Sequence, residues 1–104
     1  TLVVDRDGSL TVCLVPSGSQ LDTRALGKRV ALAPPDRAEK VTGYVTGGIS
    51  PFGQRKRHRL ILDSSALEHE TVAVSGGQRG LQLELSPQTI LDLTDGSAAV
   101  IVYV

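Results

Sequence analysis

The sequence is poor in aromatic residues, with one phenylalanine (Phe52), two tyrosines (Tyr44 and Tyr103) and no tryptophan among 104 residues. A single-strand binder that stacks successive bases needs several aromatic faces, so that class of surface is excluded. Cysteine is limited to Cys13, which allows no internal disulfide and no cysteine-built zinc site; a reducing compartment is the natural expectation. Long apolar runs are missing as well. None approaches the roughly 18 residues a membrane helix needs, and Asp5, Arg6 and Asp7 interrupt the short apolar opening where a signal peptide would be hydrophobic. Nor is there an excess of either charge, because eleven basic residues balance eleven acidic ones. Composition therefore supplies no overall field for a polyanion, and contact with nucleic acid must come from a local cluster. The expectation is a soluble cytoplasmic domain with no membrane partner.

What is present is an ordinary globular balance, 40% apolar and 21% charged. A chain of this length makes one domain, residues 1–104, and buries roughly two thirds of its unfolded surface. Thr1–Val4 and Leu10–Val15 read as the arms of a hairpin about the turn Asp5-Arg6-Asp7-Gly8. A short helix is expected within Gln20–Gly27 and a strand at Val30–Ala33. Pro34-Pro35-Asp36 opens a helix running to about Val41, with Gly43 as its stop. Leu60–Leu62, Thr71–Val74 and Leu81–Leu85 read as strands, with a helical turn between Asp63 and Glu68. Ser86-Pro87 caps a helix through Leu93, with Ile90, Leu91 and Leu93 expected inward, and Ala98–Val104 closes the chain as a strand. Strands interleaved with short helices, without regular βαβ spacing, indicate an α+β fold: a curved, mixed, mainly antiparallel sheet or open barrel with short packed helices.

Two glycine-rich segments are the candidates for chemistry. Thr42–Gly53 carries four glycines and Pro51. Such a loop is either a long turn or a cradle that lets a ligand approach the main chain. It matches neither a Walker A loop nor a dinucleotide fingerprint. Ser75–Gly80 is either a hairpin connection or a polar pocket wall carrying a hydroxyl and Arg79. Arg55-Lys56-Arg57-His58-Arg59 is a local basic run beside the first loop, suited to phosphates or simply solvated. Glu68-His69-Glu70 offers ligand types, but adjacent extended residues point apart, and no metal is expected there. Cys13, within an apolar strand, reads as a small buried hydrophobe rather than a nucleophile. Neither Ser50 nor Ser75 has an evident base partner, so an enzyme of this sequence must rely on backbone groups and on its substrate.

Thr42-Gly43-Tyr44, then Gly47-Gly48-Ile49-Ser50-Pro51-Phe52-Gly53-Gln54 and Lys56-Arg57, resembles the signature of the YbaK-type aminoacyl-tRNA editing domains. Val74-Ser75-Gly76-Gly77-Gln78-Arg79-Gly80-Leu81 with Glu84-Leu85 is similar to that family's second signature, in the same order, and the resemblance covers nearly the whole chain. It implies a deacylase that removes Cys or Ala from tRNA(Pro), Cys above all, without a cofactor. Gly47 and Pro51 fall on the family's Gly-x-x-x-Pro element, whose main-chain groups hold the aminoacyl ester and terminal ribose. The same resemblance makes Gly48, Ile49, Ser50, Ser75, Gly76, Gly77 and Gln82 substrate-binding. Lys56, Arg57 and Arg79 are then expected on the tRNA acceptor end, and prolyl-tRNA synthetase is a candidate partner.

Three departures qualify the match. The family's catalytically important lysine falls immediately before Thr1, with about forty further residues ahead of it, so the family domain's N-terminal part is absent from these 104 residues and this polypeptide is expected to be impaired. Gln82 stands where the family often has an aspartate. The region from Gln20 to Tyr44 is a few residues shorter than in the family. The competing expectation, from another functional class, is a non-catalytic module of the same fold that binds aminoacyl-tRNA or a synthetase.

Overall fold

A computed structural model describes residues 1–103. Seven strands and two helices follow in the order β1 (Leu2–Arg6), β2 (Ser9–Leu14), β3 (Val30–Leu32), α1 (Pro35–Thr42), β4 (Arg59–Asp63), β5 (Val72–Ser75), β6 (Gln82–Leu85), α2 (Pro87–Thr94) and β7 (Ser97–Ala99). Single 3₁₀ turns at Thr23–Leu26 and Ser64–Glu68 join them. β3-β1-β2-β4-β7 form one sheet, and β5-β6 form a separate ribbon. The pairs β1–β2, β1–β3 and β5–β6 are antiparallel, whereas β2–β4 and β4–β7 are parallel. With the ribbon counted, three of the five pairings are antiparallel, so the β structure is mixed and mainly antiparallel, and the five-stranded sheet does not close into a barrel. No described helix is long and apolar enough to cross a membrane.

The central strands β2 and β4 are covered on both faces, which is why their sequences read as apolar runs rather than alternating ones. Side chains alternate between the faces at every residue. Cys13 and Ile61 join Val4, Leu21, Leu26 and Ile101 on one side. Val12, Leu14, Leu60 and Leu62 meet Ile90 of α2 on the other. A third cluster, Val3, Ala38 and Ile49, fixes α1 and the start of the glycine-rich loop against β1. Cys13 is fully buried, and burial pushes its thiol up to about 11. At neutral pH it is almost wholly protonated, and only the thiolate alkylates readily. The native protein should resist iodoacetamide at pH 7.5 and label stoichiometrically once urea unfolds it, which mass spectrometry reads directly.

Four details differ from expectation. The helix within Gln20–Gly27 shortens to the 3₁₀ turn Thr23–Leu26, held by Asp22, whose carboxylate accepts from Arg24 N. The strand expected over Ala98–Val104 is only Ser97–Ala99; past it the chain bends so that Val102 pairs with Leu21 instead, and Val104 lies outside the described residues. Leu93 is 62% exposed rather than inward. In an eight-residue helix Pro87, Ile90, Leu91 and Thr94 form the i, i+3, i+4, i+7 stripe, and Leu93 lies roughly 120° off its centre. His58, in the basic run read as phosphate-binding or solvated, is instead half-buried, and its Nε2 has no partner among the described residues.

Candidate active site

Near the C-terminal ends of β2 and β4, Leu14, Val15, Leu62 and Asp63 floor a cavity of about 500 Å³. The 3₁₀ turn and β5 supply one wall, including Ser65, His69 and Thr71. Two loops far apart in sequence close it, through Gly47 from one side and Ser75, Gln78 and Gln82 from the other. Thr1 also reaches this cavity.

The two glycine-rich loops are packed directly on each other. A Cβ on Gly48 would lie 3.0 Å from the backbone of Gln78 and Arg79, so only glycine permits that approach. Gly47 has φ +90°, and a Cβ there would stand 2.8 Å from Arg79 Nε. Arg79 in turn donates from Nε (3.1 Å) and Nη2 (3.0 Å) to the carbonyl of Thr46. Thr46 N–H donates 2.7 Å to Glu39 Oε2. That N–H, followed by the Thr46 side chain, holds the Glu39 carboxyl below the usual carboxylate range. Glu39 and Arg79 thus grip Thr46 from both sides, immediately before Gly47. Tyr44 closes the far end of the loop: its hydroxyl donates to the Phe52 carbonyl, and its ring occupies the space beside Gly77 that a side chain would need.

Of the residues expected at the site, Gly47, Ser75 and Gln82 come together on the cavity. Pro51, Lys56 and Arg57 instead line a second hollow of about 500 Å³ with Phe52, His58 and Leu93. Ile49 and Ser50 are buried beneath the loop: Ile49 packs on Val3 and Ala38, while Ser50 Oγ accepts from Phe52 N and its carbonyl from Gln54 Nε2. Their side chains support the loop rather than line the cavity. Gly76 gives room to Leu81 as Gly77 does to Tyr44. Arg79, expected on tRNA, holds the Thr46 carbonyl through Nε and Nη2 while its side chain stays exposed.

Sequence reading missed Asp63 and Glu39. Asp63 is 2% exposed; Oδ1 accepts from Ile101 N at 3.0 Å, and Oδ2 from the N–H and hydroxyl of Ser65. An aspartate at the end of an apolar strand, two residues before a serine, is a cap signature that could have found it. Glu39 leaves no such signal, because its partner is seven residues away across the helix terminus. With both Asp63 oxygens engaged, that carboxylate is no free base. Ser75 Oγ accepts 3.3 Å from Gly77 N and keeps its own proton to donate. Gln82 brings donors and an acceptor without charge. The cavity is thus built to orient an uncharged polar group rather than to supply a strong nucleophile.

Comparison with known proteins identifies the family and the fold. The aminoacyl-tRNA editing domain family matches residues 1–93. An Enterococcus faecalis protein, EbsC, provisionally named a Cys-tRNA(Pro)/Cys-tRNA(Cys) deacylase, is 37% identical over 93 residues, covering 85% of this chain and 57% of its own. The chain therefore spans less than two thirds of that relative. Among solved structures, a provisional trans-editing enzyme for prolyl-tRNA synthetase superposes with a TM-score of 0.89 at 27% identity, over 99% of this chain and 68% of that one. The hypothetical protein APE2540 gives 0.90 at 28%, over 99% and 72%. With a family match over most of its length and both loop motifs meeting at one cavity, this chain belongs to the aminoacyl-tRNA editing domain family.

Proposed function

We propose that this domain hydrolyses the aminoacyl ester of misacylated tRNA(Pro), with Cys-tRNA(Pro) as the foremost substrate and prolyl-tRNA synthetase as a candidate partner. The observation that carries the reading is the convergence of Gly47, Ser75 and Gln82 on one cavity from two interlocked loops. A water oxygen adds to the ester carbonyl carbon, the bond to the ribose oxygen breaks, and that oxygen takes the proton, leaving free amino acid and tRNA. Gly47 lets the ester and terminal ribose lie against main chain, Ser75 donates its hydroxyl proton, and Gln82 orients the amino acid. With both Asp63 oxygens engaged and no base paired with the Ser75 hydroxyl among the described residues, activation of the attack falls to the substrate: the neighbouring ribose hydroxyl or, for Cys, its thiol. Thr1 lines the cavity as well.

The test is deacylation of Cys-tRNA(Pro) and Ala-tRNA(Pro) by the protein. Clearance of Cys-tRNA(Pro) above background and faster than Ala-tRNA(Pro) supports the assignment. Hydrolysis at the background rate with both would overturn it in favour of a module that binds aminoacyl-tRNA without cleaving it.

A further inference from the structure

A net charge of zero conceals an uneven distribution. A third hollow, of about 610 Å³, lies at the other end of β2 and β4 from the cavity, lined by Arg6, Lys28, Arg29 and Arg59 and by one acid, Asp7. The sheet fixes this arrangement. Arg6 ends β1 opposite Ser9 and Val30, Arg59 starts β4 opposite Thr11, and the Asp7 N–H donates 3.0 Å to the Arg29 carbonyl. The cations therefore stand on the ends of β3, β1 and β4 across four adjacent strands, a row about 14 Å wide at the usual spacing. Asp7 approaches Arg29 at 3.9 Å, with both side chains largely in solvent, and nearby Asp5 is occupied by Arg37 and Gly8 N. Among the described residues, Arg6, Lys28 and Arg59 have no carboxylate within 4 Å.

The basic run Arg55–Arg59 joins this hollow to the one beside the glycine-rich loop. Lys56 and Arg57 line the hollow on the Leu60 face of the sheet, and Arg59 lines the one on the Ile61 face. At the opposite end of β4, Glu68, Glu70 and Glu84 carry negative charge around the 3₁₀ turn and ribbon. Of the two ends, the Arg6–Arg59 end is the one whose local charge favours a polyanion. Nucleic acid presents one negative charge per roughly 3.4 Å of each strand, so a fixed 14 Å row of cations spans several phosphates.

The geometry points to this hollow as a second phosphate-binding surface, on which Arg6, Lys28, Arg29 and Arg59 hold the sugar-phosphate backbone of the RNA away from its aminoacylated end. The inference rests on the editing reading, since it assumes the same RNA delivers its ester to the cavity. Contacts of this kind position the RNA without reading its bases.

The test is the triple variant Lys28→Gln, Arg29→Gln, Arg59→Gln of the protein. Binding of uncharged tRNA is titrated between 50 and 200 mM salt, and deacylation is measured on aminoacyl-tRNA and on an aminoacyl-adenosine ester that lacks the backbone. The expected result is at least tenfold weaker tRNA binding, a salt slope shallower by about 2 for three lost contacts, and a fall in the ratio of kcat/KM on tRNA to kcat/KM on the small ester. Unchanged affinity and slope overturn the inference, and so does a variant impaired only in association with prolyl-tRNA synthetase. Should the wild type hydrolyse neither substrate while the triple variant still loses tRNA affinity, the editing reading fails and the phosphate surface stands.

Discussion

Gly47→Ala is expected to lower kcat/KM for aminoacyl-tRNA at least a hundredfold while leaving the circular dichroism spectrum unchanged. Two effects act together. At φ +90° a side chain adds strain of about 1 kcal/mol. The new Cβ also meets Arg79 Nε at 2.8 Å, so that nitrogen must shift and weaken one of the two hydrogen bonds by which the guanidinium holds the Thr46 carbonyl. The loop then shifts against Ser75 and Gln82, and misplacements near 1 Å cost on the order of a hundredfold in rate. Adding Arg79→Ala removes the clash but not the strain, so partial recovery in the double variant would apportion the two. An unchanged rate in the single variant would sink the proposed role of the loop. Gly48→Ala has no such remedy, because its neighbours are backbone atoms of Gln78 and Arg79.

The largest stability effect is expected at Asp63. Asp63→Ala leaves the Ile101 N–H without its buried acceptor and uncaps the Ser64–Glu68 turn, at about 3 kcal/mol. For a domain of this size that lowers Tm by on the order of 15 °C, and differential scanning calorimetry measures it. The effect has a pH signature. Burial alone would push the carboxyl up, but the N–H of Ile101, the hydroxyl and N–H of Ser65 and the N–H of Val102 outweigh it, so the folded pKa lies below the ordinary value. The stabilisation is therefore full above the unfolded pKa near about 4 and disappears as pH falls through the lower folded value. Wild type and Asp63→Asn should differ most at neutral pH and converge in acid; a constant gap from pH 7 to pH 2 contradicts the assignment.

Much of this was legible because burial writes itself into local sequence. Leu10–Val15 and Leu60–Leu62 announce central strands, and Pro35 with Gly43 brackets α1 to within a residue. The loop motifs marked Gly47 and Ser75, although nothing local says that they meet. What stayed hidden is what depends on distant partners. That Arg79 also anchors the Thr46 carbonyl, a partner 33 residues away, has no trace in its own segment. Ile49 and Ser50 look like ligand contacts until the packing of Val3 and Ala38 draws them under the loop. Leu93 shares its hydrophobicity with Ile90, and only the helix axis separates them. The adjacency of β2 and β4, which carries the cavity, has no signature in either strand.

That adjacency bears on how the molecule comes to be active. The hairpin β1–β2 can form from neighbouring residues, but the parallel pairing of β2 with β4 waits until everything from Val15 to His58 has been gathered. Closing so long a span costs entropy before any contact repays it. The glycine-rich loop lies inside that span, so its geometry is acquired late, together with the global fold. Amides fixed by the closure, such as Arg55 N–H on the Thr42 carbonyl, should then exchange with solvent at rates set by whole-domain opening. The glycine-rich loop is timed by the slowest contact in the sheet, and a nascent chain that ends before β4 holds the hairpin without the cavity.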